Sequence, residues 1–203
     1  MAATATVLAA ALIARADVVN IPSVRDSTLI QSFDGNLAAG TSPFLFGGRT
    51  NQGAGFDKRR SCLRFDIAAA IPPGSTINSV TLTLHMSRSQ QAPTTPVAVH
   101  RVLADWGEGA SGLTGGQGGS GESAVFNDAT WLHRFWPTTF WTTPGGDYVP
   151  TPSASTSVAG IAFYSWTSAT MAADVQGWVN DPATNFGWIV VGDESSSPTS
   201  KRF

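Results

Sequence analysis

The chain is poor in charge, nearly free of cysteine and without a long apolar run beyond its first residues. Charged side chains make up 13% of its 203 residues, and Cys62 is the single cysteine. One cysteine excludes an intramolecular disulfide and any cysteine-based zinc cage, and a buried, inert thiol is the expectation. The 12 basic and 14 acidic residues nearly cancel to −2, so no global field draws in nucleic acid, which is not an expected partner. The three histidines, His85, His100 and His133, form no H-E-x-x-H or comparable pair. No cofactor is therefore expected, and the spacing does not decide whether a structural calcium is bound. No stretch after the N-terminus is apolar enough for a transmembrane helix, so membrane insertion is not expected. There is no internal repeat and no sign of a second domain.

What is present points to export and to strands. Val7–Ala14 is an apolar core too short to span a bilayer, and Ala14-Arg15-Ala16 offers small residues where a signal peptidase needs them, although no Lys or Arg precedes the run. Residues 1–16 are read as a signal peptide and 17–203 as one secreted domain, extracellular or at the cell surface. The abundant Gly, Ser, Thr and Pro argue for short strands and turns. Asp17–Pro22 and Ser27–Ser32 are candidate first strands. Leu63, Phe65 and Ile67 alternate with Cys62, Arg64 and Asp66, and Val80, Leu82, Leu84 and Met86 alternate with Thr81, Thr83, His85 and Ser87. Such alternation puts one face on a core and the other on water. Pro96–Leu103 is a third strand whose period slips near His100, as a bulge would make it do. Pro150–Ser157 reads as a loop, and Val158–Thr167 as one or two strands. The pattern predicts an all-β fold: a two-sheet antiparallel β-sandwich, jelly-roll-like, with one short helix near the C-terminus.

That helix lies in Ala172–Glu194, the stretch around which the chain is organised. Val175, Trp178 and Val179 recur at helical spacing, and Asp174 falls in the expected first turn. Asn180-Asp181-Pro182 stops the helix, and Phe186–Val191 follows as an almost unbroken apolar strand suited to burial on both sides.

The segment Asp174-Val175-Gln176-Gly177-Trp178-Val179-Asn180, then Asn185-Phe186-Gly187-Trp188, then Gly192-Asp193-Glu194, resembles the C-terminal part of the DNRLRE domains. Upstream, Arg60–Asp66, Ile71–Ile77, Val80–Leu84, Asp105-Trp106-Gly107-Glu108, Thr130-Trp131 and Pro144-Gly145-Gly146-Asp147 match in order and spacing, so the likeness spans Val18 to the C-terminus. These are secreted β-sandwich modules related to archaeal disaggregatase, some classed as carbohydrate-binding module family 96. The resemblance implies a β-sandwich and an acidic cell-wall or matrix polysaccharide, such as alginate, as partner. In the family a threonine tends to stand where Ala172 does, which implies a helix starting there without its cap. The family also continues past a K-R-F stretch into a further strand. With Lys201-Arg202-Phe203 last here, the resemblance implies a missing final strand, an open sheet edge and a poorly anchored Ser195–Phe203.

Catalytic motifs are weak by comparison. Gly107–Gly112 fits G-x-G-x-x-G, but glycines continue where a helix would have to begin, so it is read as a loop. Ser120 falls one residue short of a nucleophile elbow, with no histidine grouped near it. Asp193 and Glu194 are consecutive on a strand and point to opposite faces, so they cannot flank one sugar bond. Asp105 and Glu108 flank Trp106 and are read as structural. A polysaccharide lyase would need a tyrosine or histidine base beside a cation, and neither Tyr148 nor Tyr164 adjoins a basic cluster in sequence. No catalysis is expected.

Aromatic residues carry the positive signal. Trp166, Trp178 and Trp188 lie in periodic elements and are assigned to the core. Trp106, Trp131, Trp136, Trp141 and Tyr148 lie in irregular segments, where flat rings either stack on a sugar or close one end of the sandwich as a lid. Trp131, Trp136, Trp141 and Tyr148 are the candidate platform. Arg49, Lys58, Arg59 and Arg60 form the one basic cluster, with Arg64 on the same strand face as Arg60. It suits the carboxylates or sulfates of an acidic polysaccharide, or else it protects a strand edge. The reading is a secreted, non-catalytic carbohydrate-binding module. An adhesive matrix module that binds other domains or surface proteins is the first alternative, and a polysaccharide-degrading enzyme the second.

Overall fold

The computed structural model describes residues 16–52, 55–89, 93–112 and 118–203; the apolar run Val7–Ala14 and most of its cleavage signal lie outside the described residues. In chain order the elements are β1 (Ser23–Ile30), β2 (Leu37–Ala38), β3 (Phe46–Arg49), β4 (Lys58–Phe65), α1 (Ile67–Ala70), β5 (Thr81–Met86), β6 (Arg88–Ser89) and β7 (Thr95–Arg101). There follow β8 (Glu122–Ser123), β9 (His133–Phe135), β10 (Thr139–Phe140), β11 (Ala154–Val158), β12 (Ala162–Thr167), α2 (Ala169–Asn180), β13 (Trp188–Val191) and β14 (Lys201–Arg202). The fold is all-β, antiparallel and sandwich-like, with the short helix α2 near the C-terminus, as the residue pattern predicts.

Strand β4 sits in the middle of an eight-stranded sheet. Along one edge it pairs with β1 from Arg59↔Ile30 to Phe65↔Ser23, and along the other with β13 and then β3. Beyond β13 lie β7 and β11, and beyond β3 lie β14 and β6. A smaller pair, β5–β12, forms the opposing layer.

Both faces of the large sheet are buried. On one, Leu63, Val97, Val99, Trp188 and Val190 pack against Leu82, Met86 and Trp166 of the small sheet and against Met171, Val175 and Trp178 of α2. On the other, Leu29, Cys62 and Ile189 pack beneath Trp106, Trp131 and Trp141 of the segment after β7. Consecutive strand residues point to opposite faces, so β13 feeds one core with Trp188 and Val190 and the other with Ile189. This explains the broken period of β7. Val99 and His100 are both buried while the register against β13 runs on unshifted through Ile189↔His100 and Val190↔Val99, so two-sided burial replaces the expected bulge. Pro150–Ser157, read as a loop, contains most of β11; of the two expected first strands, Ser27–Ser32 largely falls in β1, while Asp17–Pro22 forms no strand.

Helix α2 begins three residues before the expected position. Ser168 is its N-cap, its hydroxyl accepting the Met171 amide at 2.9 Å. Asp174 is consequently mid-helix, where it joins the helix to the sheet: it accepts Trp188 Nε1 at 2.9 Å and Ser153 Oγ at 2.6 Å, and Arg101 lies 3.2 Å away. The C-terminal residues, expected to hang loose, are anchored. Thr199 and Ser200 both donate to the Arg49 carbonyl at 2.8 Å, Leu45 and Phe203 exchange backbone hydrogen bonds, and the Phe203 ring meets Trp166 at 5.9 Å. Lys201 is fully buried and donates Nζ to the Pro93 carbonyl at 2.9 Å.

The cap assignment is testable by denaturation. Ser168→Ala should cost about 1 kcal/mol, because the Met171 amide loses its acceptor. Ala172→Thr should leave the midpoint unchanged or slightly lower, since threonine is the poorer helix former at an interior position. A gain from Ala172→Thr would restore the later helix start.

Candidate functional site

Backbone pairing continues past β7 and sets the site. Leu103 donates to the Asp147 carbonyl, Val149 to the Arg101 carbonyl, and Val102 bridges Tyr148, so Tyr148 is fastened beside the sheet rather than left on a free loop. The preceding turn, Pro144-Gly145-Gly146-Asp147, lies flat on the sheet. Gly145 has φ +88°, and a Cβ there would stand 2.6 Å from Arg60 Nη1 and 2.7 Å from the Trp131 ring, so glycine is required on both counts. Asp147 closes the turn by accepting the Thr142 and Thr143 amides, each at 2.8 Å.

Between this turn and the sheet opens a cleft of about 830 Å³ whose polar lining includes Arg60, His100, Thr142, Thr143, Asp147 and Tyr148. The His100 and Tyr148 rings are 5.0 Å apart, and the Arg60 guanidinium stands 5.4 Å from the Tyr148 ring and 4.8 Å from that of Trp131. His100 Nδ1 lies 2.9 Å from the Val149 carbonyl oxygen. A carbonyl only accepts, so Nδ1 holds the proton and Nε2 of the neutral ring keeps its lone pair. Burial, with a smaller push from Arg60, lowers the His100 pKa against the opposing pull of Val149, and so favours that neutral form.

Arg60 is the keystone of the cleft wall, with three of its five N–H donors committed. Its Nε and Nη2 donate to the two Glu194 oxygens at 2.7 and 2.8 Å, and Nη1 donates to the Gly145 carbonyl at 2.9 Å. Burial raises the Glu194 pKa on its own, but the hydrogen bonds and charge of Arg60, helped by Lys58, outweigh it and hold the carboxyl below its ordinary value.

The rest of the predicted basic cluster is likewise paired. Lys58 Nζ lies 3.3 Å from Glu194, and Arg49 lies 2.9 Å from Asp57. Arg59 is fully buried and donates to the Gly119 and Lys58 carbonyls and to Gln52; burial brings its pKa down to about 10, so it stays charged at neutral pH. Arg64 shares Asp105 with Arg25, at 3.5 and 3.0 Å. Every cation of the cluster thus has an acceptor within the fold, although Lys58 and Arg60 divide one carboxylate and Arg59 bonds only neutral groups.

The predicted aromatic platform also divides. Trp131 and Trp141 are 6% and 5% exposed, too buried to offer a face to a sugar. Trp141 Nε1 donates to the Thr130 carbonyl, and Trp106, wholly buried, donates to the Phe186 carbonyl. These three rings are the lid over the second core. Trp136 is half-buried against His133 in the β9–β10 hairpin and is not among the cleft residues; Tyr148 is the one predicted ring that lines the cleft.

The remaining candidates separate. Asp193 takes the Ser195 amide and hydroxyl while Glu194 faces Arg60, so the two carboxylates diverge, although both lie beyond the end of β13 rather than on a strand. Ser120 bonds the Gln52 side chain. Among the described residues no group of three His, Cys, Asp or Glu is placed to hold a metal, and no helix is long and apolar enough to cross a membrane. Sequence reasoning missed His100 and the Arg60–Glu194 pair. The first left its trace in the slipped period of β7; the second joins residues 134 positions apart and left none.

The fold and cleft thus define a β-sandwich-like module whose described residues form a ring-walled surface cleft of mixed polar and apolar lining. Compared with models of known protein families, the chain matches none, and no curated protein matches it either.

Two outcomes are expected. Trp131→Ala and Trp141→Ala should each lower stability by about 3 kcal/mol or more, measured by denaturant melts, because each opens a cavity over the sheet. Glu194→Gln should lower stability by about 2 kcal/mol at neutral pH, the scale of a hydrogen bond to a charged group. A depressed carboxyl pKa contributes stability above its unfolded value and loses it as pH falls through the folded value. The difference between wild type and Glu194→Gln should therefore close below the ordinary glutamate value of 4.5.

Proposed function

We propose that this protein is a secreted, non-catalytic carbohydrate-binding module of the DNRLRE kind, taking a saccharide in the cleft beside Tyr148. The supporting observation is the composition of that cleft: one half-buried phenol ring flanked by a lone-pair nitrogen, a carboxylate and two exposed threonines. Sugar rings pair an apolar face with peripheral hydroxyls, and a rigid ring among fixed hydrogen-bond groups is complementary to both at low entropic cost. The motif residues support the same reading. Asp105, Trp106, Gly145, Gly146 and Glu194 all hold the cleft layer on the sheet, as a recurrent module's framework would.

Export rests on the N-terminal apolar run and its small-residue cleavage signal. The adhesive alternative draws on different side chains: Phe126, Phe140 and Phe163 are 78%, 60% and 74% exposed, and exposed rings of that size favour protein contacts.

Glycan-array binding of the protein, repeated with Tyr148→Ala and Tyr148→Phe, tests the proposal. Saccharide binding should fall roughly tenfold in Tyr148→Ala, about 1.4 kcal/mol and on the scale of one stacked ring, and survive largely in Tyr148→Phe. An absence of any saccharide binding, or binding indifferent to Tyr148, would reject it.

A further inference from the structure

The carbohydrate reading leaves open which saccharides the cleft accepts, and the charges around it decide that. A uronate or sulfate ester is drawn to a site most strongly when a cation there has charge that no neighbouring carboxylate already meets. Here the cation of the cleft wall, Arg60, already meets both oxygens of Glu194, and its third bond goes to the Gly145 carbonyl. Lys58, the next cation along the strand, shares the same Glu194. Across the cleft stands Asp147, a carboxylate whose oxygens accept two backbone amides. Within the cleft lining an incoming anion would meet one guanidinium already bound to a carboxylate and one carboxylate of its own sign. Ionic groups that are not matched across a binding surface repel by enough to exclude a ligand.

The remaining groups favour the opposite chemistry. With Nδ1–H committed to the Val149 carbonyl, His100 has only an acceptor left. The Thr142 and Thr143 side chains are exposed at the rim and both accept and donate. Hydroxyl groups satisfy the whole set, whereas a carboxylate, which cannot donate, leaves the His100 nitrogen unmet. We infer that the cleft selects neutral, hydroxyl-rich saccharides and discriminates against their uronic and sulfated counterparts. This inference rests on the carbohydrate-binding reading and reverses the acidic preference that the unpaired basic cluster would have produced.

Calorimetric titration against matched pairs decides the matter. The pairs are gluco-, manno- and galacto-configured oligosaccharides, each beside the same oligosaccharide oxidised at C6 to the uronate. The neutral member of at least one pair should bind about tenfold or more tighter than its uronate, with little change as salt is raised, because no free ion pair forms. Tighter binding of a uronate, weakened by salt, would overturn the inference and leave carbohydrate binding intact. Binding to no member of any pair would overturn both.

Glu194→Gln supplies an independent arm. Removing that charge unmasks Arg60, so uronate affinity should rise relative to neutral affinity by several-fold in a variant whose circular dichroism shows it folded. An unchanged ratio in the folded variant would show that Glu194 does not set the selectivity and would overturn the argument from masking. The wild-type pairs decide the inference even if that variant fails to fold.

Discussion

A strand that presents apolar side chains on both faces must be covered twice, and β13 is such a strand. Trp188 and Val190 point to one side and Ile189 to the other, all buried. The first cover is ordinary for a sandwich: the β5–β12 pair and helix α2, tied down by Asp174. The second is built from the described residues between Val102 and Val149, which have little regular structure and cannot be held by a hydrogen-bonded ladder alone. It is held by large rings that fill the space over the sheet, by the Trp106 indole donating to the Phe186 carbonyl, and by the guanidinium of Arg60 donating to the Gly145 carbonyl. At about 25 cal/mol per Å² of apolar surface, the rings carry most of the favourable free energy of this layer.

Arg60 has several roles at once because of where it sits. It rises from β4 on the face shared with Cys62, reaches between Trp131 and Tyr148, and ends on Glu194 at the exit of β13. A buried ion pair of this kind is a device for fixing geometry more than a source of net stability, since desolvation offsets much of the attraction. Its consequence is register: the Gly145-Gly146 turn is pinned to one place, and Tyr148 follows. The cleft is therefore a by-product of the lid's anchoring. The residues that form it cannot be separated from the residues that cover the sheet.

Much of the fold was legible in the sequence, and the reasons for the misses are physical. Alternation in β4 and β5 and the helical spacing of Val175, Trp178 and Val179 report local geometry, and each identified its element. The same alternation in β4 suggests a half-exposed strand, because Arg60 and Arg64 look like water-facing residues. Nothing in their neighbourhood announces Glu194 or Asp105, which neutralise them from far along the chain. Trp131 and Trp141 were ambiguous for a related reason: irregular segments carry no period that separates a lid ring from a platform ring. The helix start was recoverable, since Ser168 is a good N-cap residue. The resemblance to modules with a threonine at the Ala172 position implies a later cap than Ser168. The cleft was half legible. Tyr148 was named, while His100 showed itself only as a fault in a strand period.

Cys62 offers the most direct test of the two-sided sheet, because it lies wholly buried on the face beneath the aromatic layer and is the single thiol. Burial raises its pKa well above the ordinary thiol range, so its intrinsic reactivity is low as well as its access. The rate at which a thiol reagent labels Cys62 across a denaturant series reports the free energy needed to uncover that face. If the Val102–Val149 segment is an integral second cover, the opening free energy for labelling equals the global unfolding free energy and shares its denaturant dependence. Rapid labelling under native conditions, or an opening free energy far below the global value, would show that the segment is a detachable flap and would contradict the account.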